Sequence, residues 1–232
     1  MTKQRLNKYL ATNFGVSRRE ADFLIEKGRV TINDKVATIG QRVGDDDVVK
    51  VDGKKVKKQK LSYLALNKPA GYVCSRKRQG STPTIYELLP PELKSFKSVG
   101  RLDKDSSGLI ILTNDGDFAF EMTHPKFYKT KKYTVALDRE LAPLHQQMIA
   151  DYGIKLNDGV SKMELERLDD SRTKWDITLH EGRNRQIRRT FDALGYKVIA
   201  LHRYQFDNYS LSGLEPGQWV DISDEYRHMA KS

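Results

Sequence analysis

The stretch that most constrains the fold of this chain runs from Gly100 to Gly116 and reads GRLDKDSSGLIILTNDG. Four apolar residues, Leu109–Leu112, lie between two turn signals, which is the pattern of a short buried strand. Asp103 precedes this strand by a small polar loop. The sequence therefore predicts a carboxylate held by rigid structure at the leading edge of a strand, where catalytic carboxylates are often found. Taken alone, Asp103 is better explained as a residue that caps a turn, but the arginine-rich segment 183–189 and the basic N-terminal module favour a catalytic role.

The charge of the chain favours a polyanionic partner. The 232 residues include 41 Lys and Arg against 31 Asp and Glu, which gives a formal net charge of +10. Residues 1–60 hold 15 Lys and Arg against 8 Asp and Glu, so a quarter of the chain carries most of the excess. Such an uneven distribution is typical of a basic binding module attached to a second domain.

Cysteine content and hydropathy exclude several classes of protein. Cys74 is the only cysteine, so the chain has no internal disulfide and no thiolate metal cluster, and we interpret Cys74 as a small buried hydrophobe. His124, His180 and His202 show no metal-ligand spacing with acidic partners. The N-terminus lacks the apolar run of a signal peptide, and no apolar segment is long enough to span a membrane. We expect a cytoplasmic protein without membrane association.

The first 58 residues predict a small domain of two helices followed by a hairpin. Apolar residues recur at helical spacing at Leu6, Tyr9, Leu10 and Phe14. Ser17–Glu20 has the pattern of a capping box, which starts a second helix. The lysine-rich segment Lys54–Lys60 predicts a solvated linker. We therefore expect one domain at residues 1–58 and a second at residues 59–232.

Beyond the linker, predicted strands and helices do not alternate regularly. Strands are expected at Tyr63–Leu66, Tyr72–Ser75, Leu109–Leu112, Tyr133–Leu137, Trp175–Leu179 and Val198–Leu201. Helices are expected near Phe118–Met122, Leu141–Ala150 and Asn184–Leu194. This order favours an α+β fold with a mixed, mostly antiparallel sheet flanked by helices over a doubly wound fold.

A dense arginine segment, Arg183–Arg189, predicts a helix with one basic face. Three apolar residues at helical spacing would dock it on the core: Ile187, Phe191 and Leu194. Arg185 and Arg189 fall opposite this stripe and should meet solvent or phosphate, whereas Arg188 falls beside it and should be half buried. A half-buried arginine needs a carboxylate, and Asp103 is our candidate. Periodicity alone leaves open the alternative of a fully solvated basic face.

Four motifs of the chain, in order, resemble those of the RsuA-like family of ribosomal RNA pseudouridine synthases. The motifs are Asn67–Gly71, Gly100–Asp103 with Ser107–Leu109, Lys132–Tyr133 and Glu181–Arg189. Residues 4–52 resemble the S4 RNA-binding domain that this family carries at its N-terminus, and Leu201–Arg203 and Pro216–Trp219 match its C-terminal pattern. The resemblance covers nearly the whole chain; it departs from some members, which carry a long basic C-terminal tail.

The resemblance implies that the chain isomerises a uridine of ribosomal RNA to pseudouridine by cleaving N1–C1′ and joining C5 to C1′. Asp103 would be the catalytic carboxylate, acting as nucleophile or as base, with Arg188 pairing with it and keeping it oriented. Tyr133 would stack on the target base and could relay the proton lost from C5. Arg101 would fill the stack that the flipped uridine leaves, and Leu201 would form an apolar wall. Uracil never leaves the pocket, so the reaction requires no metal and no redox cofactor.

Basic residues of both domains are predicted to bind RNA, those of the first domain through its phosphates. They are Arg5, Lys8, Arg18, Arg19, Lys27 and Arg29 in the first domain, and Arg101, Arg183, Arg185 and Arg189 in the second. The implied partner is ribosomal RNA, either free or in a ribosome-assembly intermediate. We expect a monomer.

Two other functions stay open. A metal-dependent nuclease could gather carboxylates around magnesium ions, the candidates being Asp103, Asp105, Asp115 and Asp117. Against this function, Asp115 and Asp117 flank a glycine in an ordinary turn beyond the strand. A non-catalytic RNA-binding protein could rely on the S4-like module alone, but this leaves the set of Asp103, Tyr133 and Arg188 without a purpose.

Overall fold

The computed structural model describes residues 3–211 and 213–224, which contain two units with separate cores. The core of the first unit is built from buried side chains between Leu6 and Val56. Within the described residues, three further hydrophobic clusters draw on side chains from Tyr63 to Ile222. Residues 57–61 connect the two units and are exposed.

The first unit contains two helices and six short strands. They are β1 (Gln4–Arg5), α1 (Leu6–Asn13), α2 (Arg18–Glu26), β2 (Val30–Ile32), β3 (Lys35–Val36), β4 (Arg42–Val43), β5 (Val49–Val51) and β6 (Lys54–Lys55). Strands β3, β2, β5 and β6 form an antiparallel sheet in that order, and β1 pairs with β4. The Oγ atom of Ser17 accepts a hydrogen bond from the amide of Glu20 at 3.1 Å, so the predicted cap does start α2.

The predicted linker is wrong in its first half. Asp52 and Gly53 both have positive φ, 48° and 75°, and turn the chain back on itself. As a result Lys54–Lys55 pairs with β5, and Val56 is buried in the core of the first unit. The exposed connection is therefore shorter than the lysine-rich segment.

The second unit contains eleven strands and three helices within the described residues. They are β7 (Tyr63–Lys68), β8 (Lys97–Val99), β9 (Ser107–Thr113), α3 (Gly116–Thr123), β10 (Lys131–Leu137), α4 (Pro143–Gln147), β11 (Ile154–Leu156), β12 (Gly159–Ser161), β13 (Glu164–Arg167), β14 (Lys174–Leu179), α5 (Gln186–Asp192), β15 (Val198–Phe206), β16 (Tyr209–Ser210) and β17 (Trp219–Asp221). Short 3-10 turns occupy Ile85–Leu88, Pro91–Leu93 and Pro125–Phe127, and a π turn, Met148–Tyr152, extends α4.

One large sheet organises the second unit. Its strand order is β13-β14-β10-β15-β9-β7-β17, with β16 beside β15 and β8 beside β9. The pairing of β15 with β9 is parallel, and the other pairings in the described part of this sheet are antiparallel. The predicted α+β fold with a mixed, mostly antiparallel sheet is confirmed.

Strands β9 and β15 approach each other closely at Gly108. Gly108 has a φ of 110°, and a Cβ atom on it would lie 2.6 Å from the backbone nitrogen of Arg203 and closer still to its carbonyl oxygen. Only glycine fits this place, because both the backbone conformation and the space exclude a side chain. The close pairing holds the loop before β9 against β15.

Two predictions of local structure are wrong. Residues 72–75 lie in a loop, because the backbone of Val73 bonds with Pro83 and Ile85 instead of with a neighbouring strand. The arginine helix α5 begins at Gln186, two residues later than expected, because Arg185 has a left-handed conformation with a φ of 46°. The second difference changes which arginine faces which carboxylate.

Candidate active site

A cavity of about 700 Å³ lies where β10, β15 and the loop before β9 meet the segment that leads into α5. Strands β10, β15 and β9 are neighbours in the sheet, so residues from distant parts of the sequence line one space. Six predicted site residues are among the lining residues: Arg101, Asp103, Tyr133, Arg183, Arg185 and Leu201. The structure thus brings the motifs of the sequence together.

Asp103 begins a tight turn that leads into β9. The amide of Ser106 donates a hydrogen bond to the carbonyl oxygen of Asp103 at 3.1 Å, which closes the turn. The side chain of Asp103 keeps 28% of its surface exposed, so its carboxylate is accessible from the cavity. A fixed backbone with an accessible carboxylate is the arrangement that nucleophilic or general-base catalysis needs.

Lys68, the last residue of β7, binds the backbone of this turn through hydrogen bonds. Its side chain is fully buried, and its ammonium group donates hydrogen bonds to the carbonyl oxygens of Pro69, Asp103 and Ser106 at 3.1, 3.0 and 2.5 Å. Burial lowers the pKa of Lys68. We therefore interpret Lys68 as a positioning residue for the turn. The sequence signal for it was a lysine in the motif Asn67–Gly71, directly after the apolar run Tyr63–Leu66.

Arg185 contacts the carboxylates of this turn. Its guanidinium donates two hydrogen bonds to Asp105, at 2.9 and 3.2 Å, and its Nη1 atom lies 3.7 Å from Oδ2 of Asp103. The bidentate contact lowers the pKa of Asp105. Among the arginines of the segment Arg183–Arg189, it is Arg185 that lies within ion-pair distance of Asp103.

The expected pairing of Arg188 with Asp103 differs from the structure. Arg188 is 11% exposed, so its predicted burial is confirmed, but its Nε atom lies 3.4 Å from the carboxylate of Asp105. Its other nitrogens donate to the carbonyl oxygens of Val198 and Asp105 at 2.8 and 2.9 Å. The expectation assumed that the helix includes Arg185, so that the positions of all the arginines follow from helical spacing. This assumption is wrong, because Arg185 precedes the helix and has a left-handed conformation.

Tyr133 and Leu201 form neighbouring parts of the cavity wall. Tyr133 lies on β10 and is 8% exposed, and Leu201 lies on β15 and is 7% exposed. Both side chains also belong to the main hydrophobic cluster. Each therefore offers an apolar surface to the cavity while it is anchored in the core.

Two cations of the cavity wall were not apparent from the sequence. Arg203 is 2% exposed, donates two hydrogen bonds to the carbonyl oxygen of Leu109 at 2.9 and 2.7 Å, and lies over the ring of Phe206. Lys131 lies on the same ring, with Nζ 5.3 Å from its centroid. Burial, together with the charge of Arg203, lowers the pKa of Lys131 to about 8.

The basic residues predicted to contact RNA have different surroundings. Exposed positions include Arg5, Arg18, Arg19, Lys27, Arg29 and Arg101. Several of the predicted residues bind carboxylates of the chain itself: Lys8 binds Asp117, Arg29 binds Asp52, Arg183 binds Asp158 and Glu181, and Arg189 binds Asp158. In this last group, a contact with phosphate would have to compete with an existing ion pair.

The carboxylates proposed for a nuclease do not converge. Asp115 follows β9 at the end opposite Asp103 and caps α3 by accepting hydrogen bonds from the amides of Asp117 and Phe118. Among the described residues, no group of three or more His, Cys, Asp and Glu side chains is placed to hold a metal ion. Likewise, no helix in the described ranges is long and apolar enough to cross a membrane.

Comparison with known proteins agrees with the geometry. Residues 62–193 match the family model for RNA pseudouridylate synthase, and residues 4–49 match the S4 domain. Ribosomal large subunit pseudouridine synthase B of Bacillus subtilis is 36% identical over 226 residues, which cover 95% of this chain and 92% of that protein. Dual-specificity RNA pseudouridine synthase RluF of Escherichia coli K12 is 39% identical, over 95% of this chain and 76% of that protein. A crystal structure of a pseudouridylate synthase superposes with a TM-score of 0.69 at 31% identity, covering 97% of this chain and 98% of that one.

Proposed function

Because the chain belongs to the RNA pseudouridylate synthase family, we propose that it converts a specific uridine of ribosomal RNA to pseudouridine in the cavity that contains Asp103. The observation that carries this proposal is the convergence of an accessible carboxylate, Asp103, with the ring of Tyr133 and the guanidinium of Arg185 at one cavity. The curated relatives support ribosomal RNA as the substrate, since one of them is named for the large ribosomal subunit.

The chemistry assigns a separate task to each group. The N1–C1′ bond breaks, C5 joins C1′, and the proton that C5 loses is balanced by the proton that N1 gains. Asp103 supplies the carboxylate that acts as nucleophile or base, and Tyr133 stacks on the base and relays the proton. Arg185, at 3.7 Å, orients Asp103 and balances its charge. Arg101, exposed at the cavity mouth, fills the stack that the flipped nucleotide leaves.

Arg188 acts as a positioning residue in this proposal. It joins β15 to the turn through Val198 and Asp105, so it fixes Asp103 through the backbone and through Asp105. Leu201 provides the apolar wall against which the uracil ring rests.

We further propose that residues 1–58 form the RNA-binding domain and residues 59–232 the catalytic domain. Separate hydrophobic cores on the two sides of the exposed residues 57–61 support this division. The exposed basic residues of the first domain would bind phosphates of the ribosomal RNA, either free or in an assembly intermediate. Such a substrate is consistent with a monomeric enzyme of the cytoplasm.

The change of Asp103 to Asn tests the proposed function. The variant should release no tritium from ribosomal RNA that contains [5-³H]uridine, while its affinity for the RNA stays within a few-fold of wild type. Wild-type activity should persist in EDTA, because no step uses a metal. Activity that is lost in EDTA and restored by magnesium would instead favour the nuclease.

A further inference from the structure

An exposed cluster of rings lies beside the cavity, on α3 and the turn that follows it. We name the set of Phe120, His124, Phe127 and Tyr128 the aromatic patch. Phe120 is 49% exposed, Phe127 38% and Tyr128 76%. Other apolar side chains of the same helix, Phe118 and Met122, are almost fully buried in the core. The aromatic patch is therefore not needed to attach α3 to the sheet, and its exposure requires another explanation.

Three rings of the aromatic patch contact one another, those of Phe120, His124 and Phe127, and Tyr128 follows Phe127 directly in the chain. The ring centroids of Phe120 and His124 are 4.7 Å apart, and those of Phe120 and Phe127 are 6.0 Å apart at right angles. The ammonium group of Lys126 lies 4.6 Å from the ring of Phe127 and 5.3 Å from that of Phe120. The patch thus combines exposed ring faces with a positive charge, which is the composition of surfaces that bind single-stranded nucleic acid.

The position of the aromatic patch connects the two regions that the proposed function assigns to RNA. Asp117, Phe120 and His124 have the i, i+3, i+7 spacing of one helix face. At one end of this face, Asp117 forms an ion pair with Lys8 of the first unit. At the other end, His124 and Pro125 line the cavity. This face therefore offers a direct path for an RNA that is bound to both the first unit and the cavity.

We infer that the aromatic patch stacks an unpaired base of the substrate RNA, adjacent to the nucleotide that enters the cavity. This inference rests on the proposed function and adds a binding site to it. Every base has a flat π face, so such stacking contributes affinity without selecting a sequence. Lys126 would move from the rings to a neighbouring phosphate, since an exposed cation–π contact is weak.

The charge among the rings favours RNA over a protein as the occupant. An apolar protein surface that covered Phe120 and Phe127 would desolvate the ammonium group of Lys126 without a partner, which is unfavourable. A nucleotide covers the rings with its base and offers the ammonium group its phosphate. A nucleotide therefore provides a partner for the exposed rings and for the ammonium group of Lys126.

The test compares Tyr128→Ala and Phe120→Ala with a matched control, Tyr152→Ala. Tyr152 is 74% exposed, lies in the π turn after α4 and is not part of the cavity wall. Steady-state tritium release from transcribed ribosomal RNA with [5-³H]uridine should give a KM raised roughly 5- to 150-fold for the two patch variants, with kcat nearly unchanged. Tyr128→Phe should restore the wild-type KM, because stacking needs the ring and not the hydroxyl. Tyr152→Ala should behave as wild type.

A second measurement does not depend on turnover. Ultraviolet irradiation of the wild-type protein with the same RNA, followed by peptide mass spectrometry, should find nucleotides attached to residues 120–128 and none attached to Tyr152. Patch variants that match Tyr152→Ala in KM, or a crosslink map without this segment, would overturn the inference. A wild-type protein that releases no tritium would count against the proposed function instead, and the crosslink map would then decide on the aromatic patch by itself.

Discussion

Replacing Arg188 by Ala should destabilise the protein far more than replacing Arg185 by Ala. Arg188 is 11% exposed and donates hydrogen bonds to the carbonyl oxygens of Val198 and Asp105 at 2.8 and 2.9 Å. Removing it leaves the carboxylate of Asp105 with one cation fewer and two carbonyl groups without a charged donor. Because Arg188 is largely buried but the carboxylate of Asp105 is 48% exposed, we expect a cost of about 3 kcal/mol, the lower end of the range for breaking a buried ion pair.

Arg185 makes similar contacts in a more exposed place. Its side chain is 43% exposed, and solvent screening limits the contribution of its ion pair with Asp105 to roughly 0–1 kcal/mol. Its loss should therefore affect catalysis more than stability, because it removes the guanidinium that lies 3.7 Å from Asp103. We expect kcat to fall roughly tenfold or more, which corresponds to about 1.4 kcal/mol of transition-state stabilisation.

Thermal unfolding and tritium release together separate the two effects. For a chain of this size, a loss of about 3 kcal/mol lowers Tm by about 6–12 °C, so Arg188→Ala should show this decrease and Arg185→Ala a decrease of at most about 4 °C. Arg188→Lys should recover only part of the stability, since a single ammonium group cannot replace a planar fork that reaches both Val198 and Asp105. An Arg188→Ala protein with a wild-type Tm, or an Arg185→Ala protein with wild-type kcat, would refute the assignment of these two arginines.

Three further predictions concern the sheet, the cavity and the first domain. Gly108→Ala should leave little folded protein, as measured by soluble yield and thermal unfolding, because its Cβ atom would overlap the backbone of Arg203; a well-folded variant would contradict the close pairing of β9 with β15. RNA binding, measured by fluorescence anisotropy, should weaken as pH rises through about 8, because Lys131 loses its positive charge there. The charged groups around Lys131 are Arg203, Asp207 and Glu181. The variant Lys131→Arg stays charged, so it should not show this pH dependence. The free protein should change in the opposite direction: burial favours the neutral form of Lys131, so its contribution to stability increases between pH 8 and 10.5. Deletion of residues 1–58 should leave a folded catalytic domain with a shallower dependence of log affinity on log salt, by roughly 0.7–0.9 per lost phosphate contact; an unchanged slope would mean that the first domain does not touch RNA.

The sequence by itself determined the local elements whose signals are short-range. The apolar run Leu109–Leu112 between two turns did become a central strand, and Ser17 does cap α2. The apolar stripe from Ile187 to Phe191 correctly predicted that Arg188 would be buried. The ordered motifs predicted the family, which the comparisons confirm. The strand, the cap and the apolar stripe each depend on residues within about one or two turns of helix or one strand, so the chain specifies them locally.

Only the tertiary structure decided which groups meet at the cavity. Lys68 reaches carbonyl oxygens about 35 residues away, and Arg185 reaches a turn 80 residues before it. The Lys68 contacts depend on the antiparallel pairing of β7 with β9, in which Lys68 lies opposite Gly108. The Arg185 contacts depend on its left-handed conformation, which rotates its side chain away from the position that helical phasing predicts. Spacing along the sequence constrains angles within one element, whereas the distance between two elements follows from how the whole core packs.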